Sequence, residues 1–333
     1  MQYKGVLQVP ACIVREVTVM GKYIIKRILI IIPILFATSI IVFTLVKLAP
    51  GDPVSIMLNG KQASEETKAN LAKEFSLDKP MAQQYFIWLK NALHGDFGIS
   101  YKSRISVNEM ISTRIGVTVQ MVIMSLLITL VISIPLGVFS AIKKRSIIDV
   151  ASSFISYIGS ASPVFFTGIV FVIFFCYKMN LFPAYGTGSS VGENFKYLFL
   201  PSLALGLNQV ALDSRILRSA MIESLNSNYI TTVVAKGMPK KNVYFKHAFK
   251  NSMIPVVTII GMQVGFVITG AVLVETVFGI SGIGSLIVTS VKNNDLPLIQ
   301  ACTLLLVFVY IFMNTVADIA YAFIDPRVDY KKG

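Results

Sequence analysis

The chain has 333 residues, of which 54% are hydrophobic and 14% charged, whereas a soluble domain carries roughly 25% charged residues. That balance excludes a disordered chain, a small disulfide scaffold and an ordinary soluble enzyme. A net charge of +13 would suit a nucleic-acid partner. However, the charges flank apolar runs and form no RNP-type, zinc-finger or basic-zipper pattern, so no nucleic acid is expected.

A bilayer core about 30 Å thick needs about 20 apolar residues in a helix. The uncharged runs cover residues 28–46, 115–142, 150–177, 197–212, 251–274 and 296–317. They predict an all-α polytopic membrane protein with six transmembrane helices. The fourth run is short and needs tilt, with Arg215 and Arg218 snorkelling at one end. The chain then divides into an N-terminal extension (1–20), a first span (21–46), an external loop (47–114), a membrane domain (115–323) and a tail (324–333). Met20 followed by Gly21 and Lys22 reads as the natural start, and the first helix as an uncleaved signal-anchor.

Of the 30 Lys and Arg residues, 18 fall before the first span, between the second and third, in 213–250 or in the tail. The opposite short loops hold only Lys178, Lys196 and Lys292. The positive-inside rule therefore predicts a multi-pass protein of the inner or plasma membrane with both termini cytoplasmic.

In the external loop, Ser64 followed by Glu65 and Glu66 predicts a short helix over 64–75. A second helix over 81–93 places Tyr85, Trp88 and Leu89 on one face, with Pro80 suited to its first turn. Trp88 reads as an interfacial anchor or as a substrate contact on a small cap over a pore. On the other side, the 213–250 segment continues a helix outward through Arg215 and Arg218. It runs through Tyr229 to Gly237, stops there and restarts at Pro239. Such a surface helix between two membrane helices can transmit force when gripped, or simply lie on anionic lipid.

Catalytic chemistry is not indicated. The chain has no G-x-x-x-x-G-K-[ST] loop, H-E-x-x-H or G-x-S-x-G motif, so neither a catalytic residue nor a bound cofactor is expected. Gly279, Gly282 and Gly284 have the wrong order for a phosphate loop and read as a tight turn under a re-entrant backbone. His94 and His247 are isolated, and Cys12, Cys176 and Cys302 form no metal-ligand or disulfide pattern, so no metal site is expected.

Several landmarks recur in a fixed order. Lys26-Arg27-Ile28 leads to Pro33, followed by Leu48-Ala49-Pro50-Gly51-Asp52-Pro53, Gln84-Tyr85 and Trp88-Leu89. Gly95-Asp96-Phe97-Gly98-Ile99-Ser100 comes next, then Tyr229, Ala235-Lys236-Gly237, His247-Ala248-Phe249-Lys250-Asn251 and Ile254-Pro255. The series ends with Glu275-Thr276-Val277-Phe278, Gly282-Ile283-Gly284 and Asp325-Pro326-Arg327. From about Lys22 to Tyr330 the chain resembles the permease subunits of binding-protein-dependent ABC importers, in the dipeptide, oligopeptide and nickel branch. Two departures stand out. Thr231-Thr232-Val233 occupies the place of the family's Glu-Ala-Ala, and Ser281 stands where a proline is common.

The resemblance implies a type I ABC importer permease that moves di- or oligopeptides, with nickel or a metal chelate as the alternative cargo. It implies a second homologous permease subunit, separate ATP-binding subunits that hydrolyse ATP, and an external substrate-binding protein. Ala235, Lys236, Gly237, Met238, Pro239 and His247 would form the contact with an ATP-binding subunit. Polar residues in spans are costly and tend to face an interior path, which singles out Asn208, Gln209, Gln263 and Glu275 as lining residues. Each amide would serve equally as a helix–helix hydrogen bond, and Glu275 as an exposed span end. A stand-alone secondary transporter is the alternative from another class, but the apolar runs carry almost no acids and show no convincing inverted repeat.

Overall fold

The structure is a computed structural model describing residues 11–48, 51–58 and 62–324. It is helical throughout those residues apart from turns and an isolated pairing of Ile99 with Ser106. Helix α1 runs Ala11–Leu48 without a break at residue 20, so the boundary drawn there falls inside a helix. Nearly all of the tail, from residue 325 on, lies outside the described residues.

Between α1 and the membrane domain come α2 (Pro53–Met57), α3 (Glu65–Glu74) and α4 (Met81–Leu93). Asp52 caps α2 by accepting from the Val54 and Ser55 amides at 3.2 and 3.0 Å. The Ser55 hydroxyl, with these amides, holds the Asp52 carboxyl below its ordinary range. Ser64 caps α3 through the Thr67 amide at 3.2 Å. Tyr85 on α4 is buried and shares a 2.8 Å hydrogen bond with Ser39 of α1. Its ring meets Phe43 edge-on at 5.3 Å. The aromatic face read from the sequence thus mounts the cap on the end of α1.

The membrane domain follows. Helix α5 spans Val107–Ile142, α6 Ile147–Ala161, and α7 Val164–Phe171 with a π-helical continuation over Val172–Lys178. Next are α8 (Val191–Leu225), α9 (Asn228–Ala235) and α10 (Lys240–Asn242). A π-helical turn over Val243–Ala248 leads into α11 (Phe249–Val277), then α12 (Ile283–Lys292) and α13 (Leu296–Ile324).

Helix α5 shows how an apolar sequence acquires an inside in lipid. Ser125, Thr129, Ser133, Gly137 and Ser140 are buried, while Val119, Ile123, Leu127 and Val131 are exposed. Small residues recur at nearly every turn on the packed face, and large apolar ones face outward. Lipid solvates Leu as well as a protein core does, so close backbone approach drives this packing. A Cβ on Gly206 of α8 would stand 2.7 Å from Thr129 Oγ1, and one on Gly137 2.9 Å from the Ser214 carbonyl. The Ser202 hydroxyl donates to the Met121 carbonyl at 3.1 Å across the same seam.

Within the described residues, four helices are long and apolar enough to cross a membrane, in α1, α5, α11 and α13. The α6–α7 pair is apolar enough only when its two helices are taken together, and it is bent by 108°, the shape of a broken span or of a re-entrant loop. The break falls at Ser162–Pro163, because proline lacks an N–H and pushes the preceding residue to extended backbone; Ser162 has ψ 124. The short fourth run, 197–212, lies in α8, whose polar residues are enclosed by α5, α6 and α11. At its far end Arg218 does not snorkel. It donates to both oxygens of buried Asp149 on α6, at 2.6 and 2.9 Å, because a bidentate carboxylate is available beside it.

Candidate functional site: the segment between α8 and α11

Helix α8 stops at Leu225, and Ser227 caps α9 by accepting from the Ile230 amide at 3.4 Å. One face of α9 is apolar and buried. Ile230 and Val233 pack with Leu217 and Met221 of α8, Val243 and Ala248 of the π-turn, and Val138 of α5. The opposite face carries Tyr229, Val234, Ala235 and Lys236, all exposed. Beyond it, Gly237 turns the chain at φ +78, a left-handed conformation that costs an L-residue about 1–2 kcal/mol. No atom lies within 4 Å of the position its Cβ would occupy, so the requirement for glycine there is conformational within this chain. Met238 is half-buried, and Pro239 opens the restart with φ −64.

A second tie holds α9. Tyr229 Oη and His247 Nδ1 share a hydrogen bond at 2.6 Å, and the rings meet edge-on at 5.8 Å. His247 Nε2 is buried without a partner. His247 is thus tied to the first turn of α9 through Tyr229, whereas residues 235–239 lie at its last residue and beyond. Lys240 and Lys241 beside these are exposed, giving an apolar step at Val234 and Ala235 with a basic rim.

The four polar candidates in the spans have different surroundings. Asn208 donates to the Ser162 carbonyl at 3.0 Å, satisfying an acceptor at the α6–α7 break. Gln209 is half-buried, and its side chain makes no hydrogen bond to a described residue. Gln263 donates to Asp213 Oδ1 at 2.6 Å, while Gln263 Oε1 and Asp213 Oδ2 remain unpartnered. Glu275 is fully buried rather than an exposed span end. It accepts from the Thr118 hydroxyl at 2.6 Å and the Ser285 amide at 2.9 Å, at the start of α12. Thr118 in turn accepts from the Ile283 amide at 2.9 Å. A Cβ on Gly282 would collide with the Glu275 carboxyl, and one on Gly284 with the Val272 backbone. The glycines are thus the close-packed turn that their spacing indicated.

Three buried acids were not picked out from the sequence: Asp149, Asp213 and Asp295. Each stands just beyond an uncharged run and so outside the predicted spans. Helix α8 continues thirteen residues beyond 212, to Leu225, which carries Asp213 inside. Asp295 accepts from the Tyr101 and Lys102 amides at 3.0 and 3.4 Å and from the Ser100 hydroxyl. It fastens the cap loop to the α12–α13 turn. Burial, with Asp295 nearby, pushes the Tyr101 phenol up to about 12, so that side chain stays neutral. Among the described residues no group of His, Cys, Asp and Glu is arranged to hold a metal ion.

Residues 133–330 match the family described as binding-protein-dependent transport system inner membrane component. Residues 20–122 match the N-terminal part of such membrane components. The chain belongs to this permease family. It is 37% identical to the oligopeptide transport system permease protein AppB of Bacillus subtilis, over 93% of this chain and 100% of that one. It is 34% identical to the dipeptide transport system permease protein DppB of Escherichia coli K12, over 94% and 100%. A third relative, the probable peptide ABC transporter permease protein y4tP of Sinorhizobium fredii, is 34% identical over 93% and 100%. The permease is therefore an all-α, multi-pass membrane protein, as its apolar runs predicted, and a transport component, as the resemblance implied.

Proposed function

We propose that this permease is the translocation subunit of an ATP-driven importer of di- or oligopeptides. The names of its relatives support peptides as cargo, and no observation favours nickel or a metal chelate. It works with a second homologous permease, two ATP-binding subunits that carry out hydrolysis, and an external receptor. It binds no cofactor of its own. Both termini face the cytoplasm, in keeping with the 18 basic residues gathered on that side.

One observation carries the reading. Helix α9 is anchored by Ile230 and Val233 and presents Tyr229, Val234, Ala235 and Lys236 outward, beside a glycine with open space around it. A helix tied to both flanking membrane helices passes a push at its outer face directly to α8 and α11. Closure of the ATP-binding subunits moves α9, the two permease bundles rock, and the path opens to the other side. The basic rim matches a groove with an apolar floor and acidic edges. Residues 235–239 and His247 make or support that contact. Of the four polar candidates, Gln209 has an amide free for the path. Asn208, Gln263 and Glu275 serve the helix packing that surrounds it.

The test is Gly237→Asp. Aspartate tolerates positive φ better than most residues, and no neighbour crowds the site, so the chain should fold and reach the membrane. Peptide uptake should fall at least about tenfold, matching a loss of about 1.4 kcal/mol or more in docking. Normal uptake with normal retention of the ATP-binding subunit would refute the assignment.

A further inference from the structure

A cavity of about 200 Å³ lies where the cap meets the ends of α1 and α13. Its walls include Phe43 of α1 and Tyr101 of the cap loop. Gln84 on its wall donates to the Leu77 and Lys79 carbonyls, but four other polar groups there have no hydrogen-bond or ion-pair partner among the described residues. Trp88 Nε1 is buried without an acceptor. Gln300, 4% exposed, makes no side-chain hydrogen bond to a described residue. Lys47 lies 5.8 Å from the centre of the Phe43 ring and forms no ion pair with a described residue. Glu74 stands exposed among the lining residues, also without an ion pair to a described residue.

A mostly apolar cavity with a few unsatisfied polar groups is what a small-molecule site requires. Here the groups also differ in sign. An ammonium and an indole N–H meet an anionic oxygen, an amide suits an ester or hydroxyl, and a carboxylate meets a cation. The location narrows the choice. Lys47 lies in the last turn of α1, and its neighbours Leu45 and Leu48 are exposed, continuing the apolar outer face of that helix. A ligand whose head enters the cavity can therefore lay hydrocarbon along α1. The volume is below the ~300 Å³ of a drug-sized site, so the cavity takes a headgroup and leaves acyl chains outside.

We propose that this cavity binds the zwitterionic headgroup of a phospholipid from the leaflet on the cap side. Lys47 and the Trp88 N–H hold the phosphate, Gln300 bonds the glycerol ester region, and Glu74 pairs with the headgroup amine. The lipid cements the cap to α1 and α13, which are otherwise joined there by aromatic packing and the Asp295 bonds. This inference is independent of the cargo carried.

Native mass spectrometry on the full-length permease, purified with its accompanying subunits and supplied with phosphatidylethanolamine, phosphatidylglycerol or dialanine, tests it. Phosphatidylethanolamine should be retained by the wild type, with retention weakened about tenfold, or about 1.4 kcal/mol, in Lys47→Met and Trp88→Phe. Trp88→Phe keeps an aromatic ring and removes only the donor side of the indole, which guards against a folding artefact. Glu74→Gln, at an exposed position, should erase the preference for phosphatidylethanolamine over phosphatidylglycerol. Equal retention by all variants, or none by the wild type, overturns the site. Displacement of the lipid by dialanine overturns the lipid assignment and makes the same groups a site for a free zwitterion.

Discussion

The Gln263 amide donates to the Asp213 carboxyl at 2.6 Å and joins α11 to α8, the two long helices between which the coupling segment is slung. Both side chains are almost completely enclosed. Gln263→Leu removes the donor and strands the acid, which should lower stability by about 3 kcal/mol. The double variant Asp213→Leu with Gln263→Leu removes both polar groups and should be more stable than Gln263→Leu alone. Thermal unfolding of the detergent-solubilised protein gives the coupling directly, and a double variant as unstable as the sum of the singles would contradict it.

Tyr229 and His247 lock α9 against the π-turn. Tyr229→Phe keeps the ring contact and loses the hydrogen bond, at a cost of about 1 kcal/mol. The loss should appear locally, as faster amide exchange across residues 228–236 with the membrane helices unchanged. Uptake should drop more than global stability, because a loosened helix transmits less of the applied motion.

Glu275 caps the re-entrant turn. Glu275→Ala leaves the Ser285 amide and the Thr118 hydroxyl without their acceptor and opens a cavity. A loss of about 3 kcal/mol is expected, against about 1 kcal/mol for Thr118→Val. Gly282→Ala should be as damaging as Glu275→Ala, since the added carbon displaces the carboxyl. Chain abundance in the membrane and the melting temperature report all three. A well-tolerated Gly282→Ala would show that the turn has room the packing denies.

Asp295 holds the cap loop through two amides and a hydroxyl. Asp295→Ala should release residues 99–106 without unfolding the bundle, at a local cost of about 2 kcal/mol. Limited proteolysis reads this as cleavage in the cap at least about tenfold faster, since cutting follows the population of the open form. Unaltered cleavage would mean that the aromatic mount on α1 suffices.

Residue type and spacing alone determined the solvent of this protein. Uncharged runs of bilayer length require helices, because a backbone in lipid must satisfy its own hydrogen bonds. The same local logic placed the Ser64 cap, the Tyr85–Trp88 face, and the stop at Gly237 with the restart at Pro239, since each depends on neighbours a turn away. Tertiary structure decided what the polar residues do. Whether Gln263, Asn208 or Glu275 faces a path or a partner depends on side chains 50, 46 and 157 positions away, and helix periodicity carries no record of them. Arg218 found Asp149 for the same reason. In lipid the faces of an apolar helix do not differ in hydropathy. Small-residue spacing can mark a packed face, as on α5, but only the tertiary structure says which helix packs there.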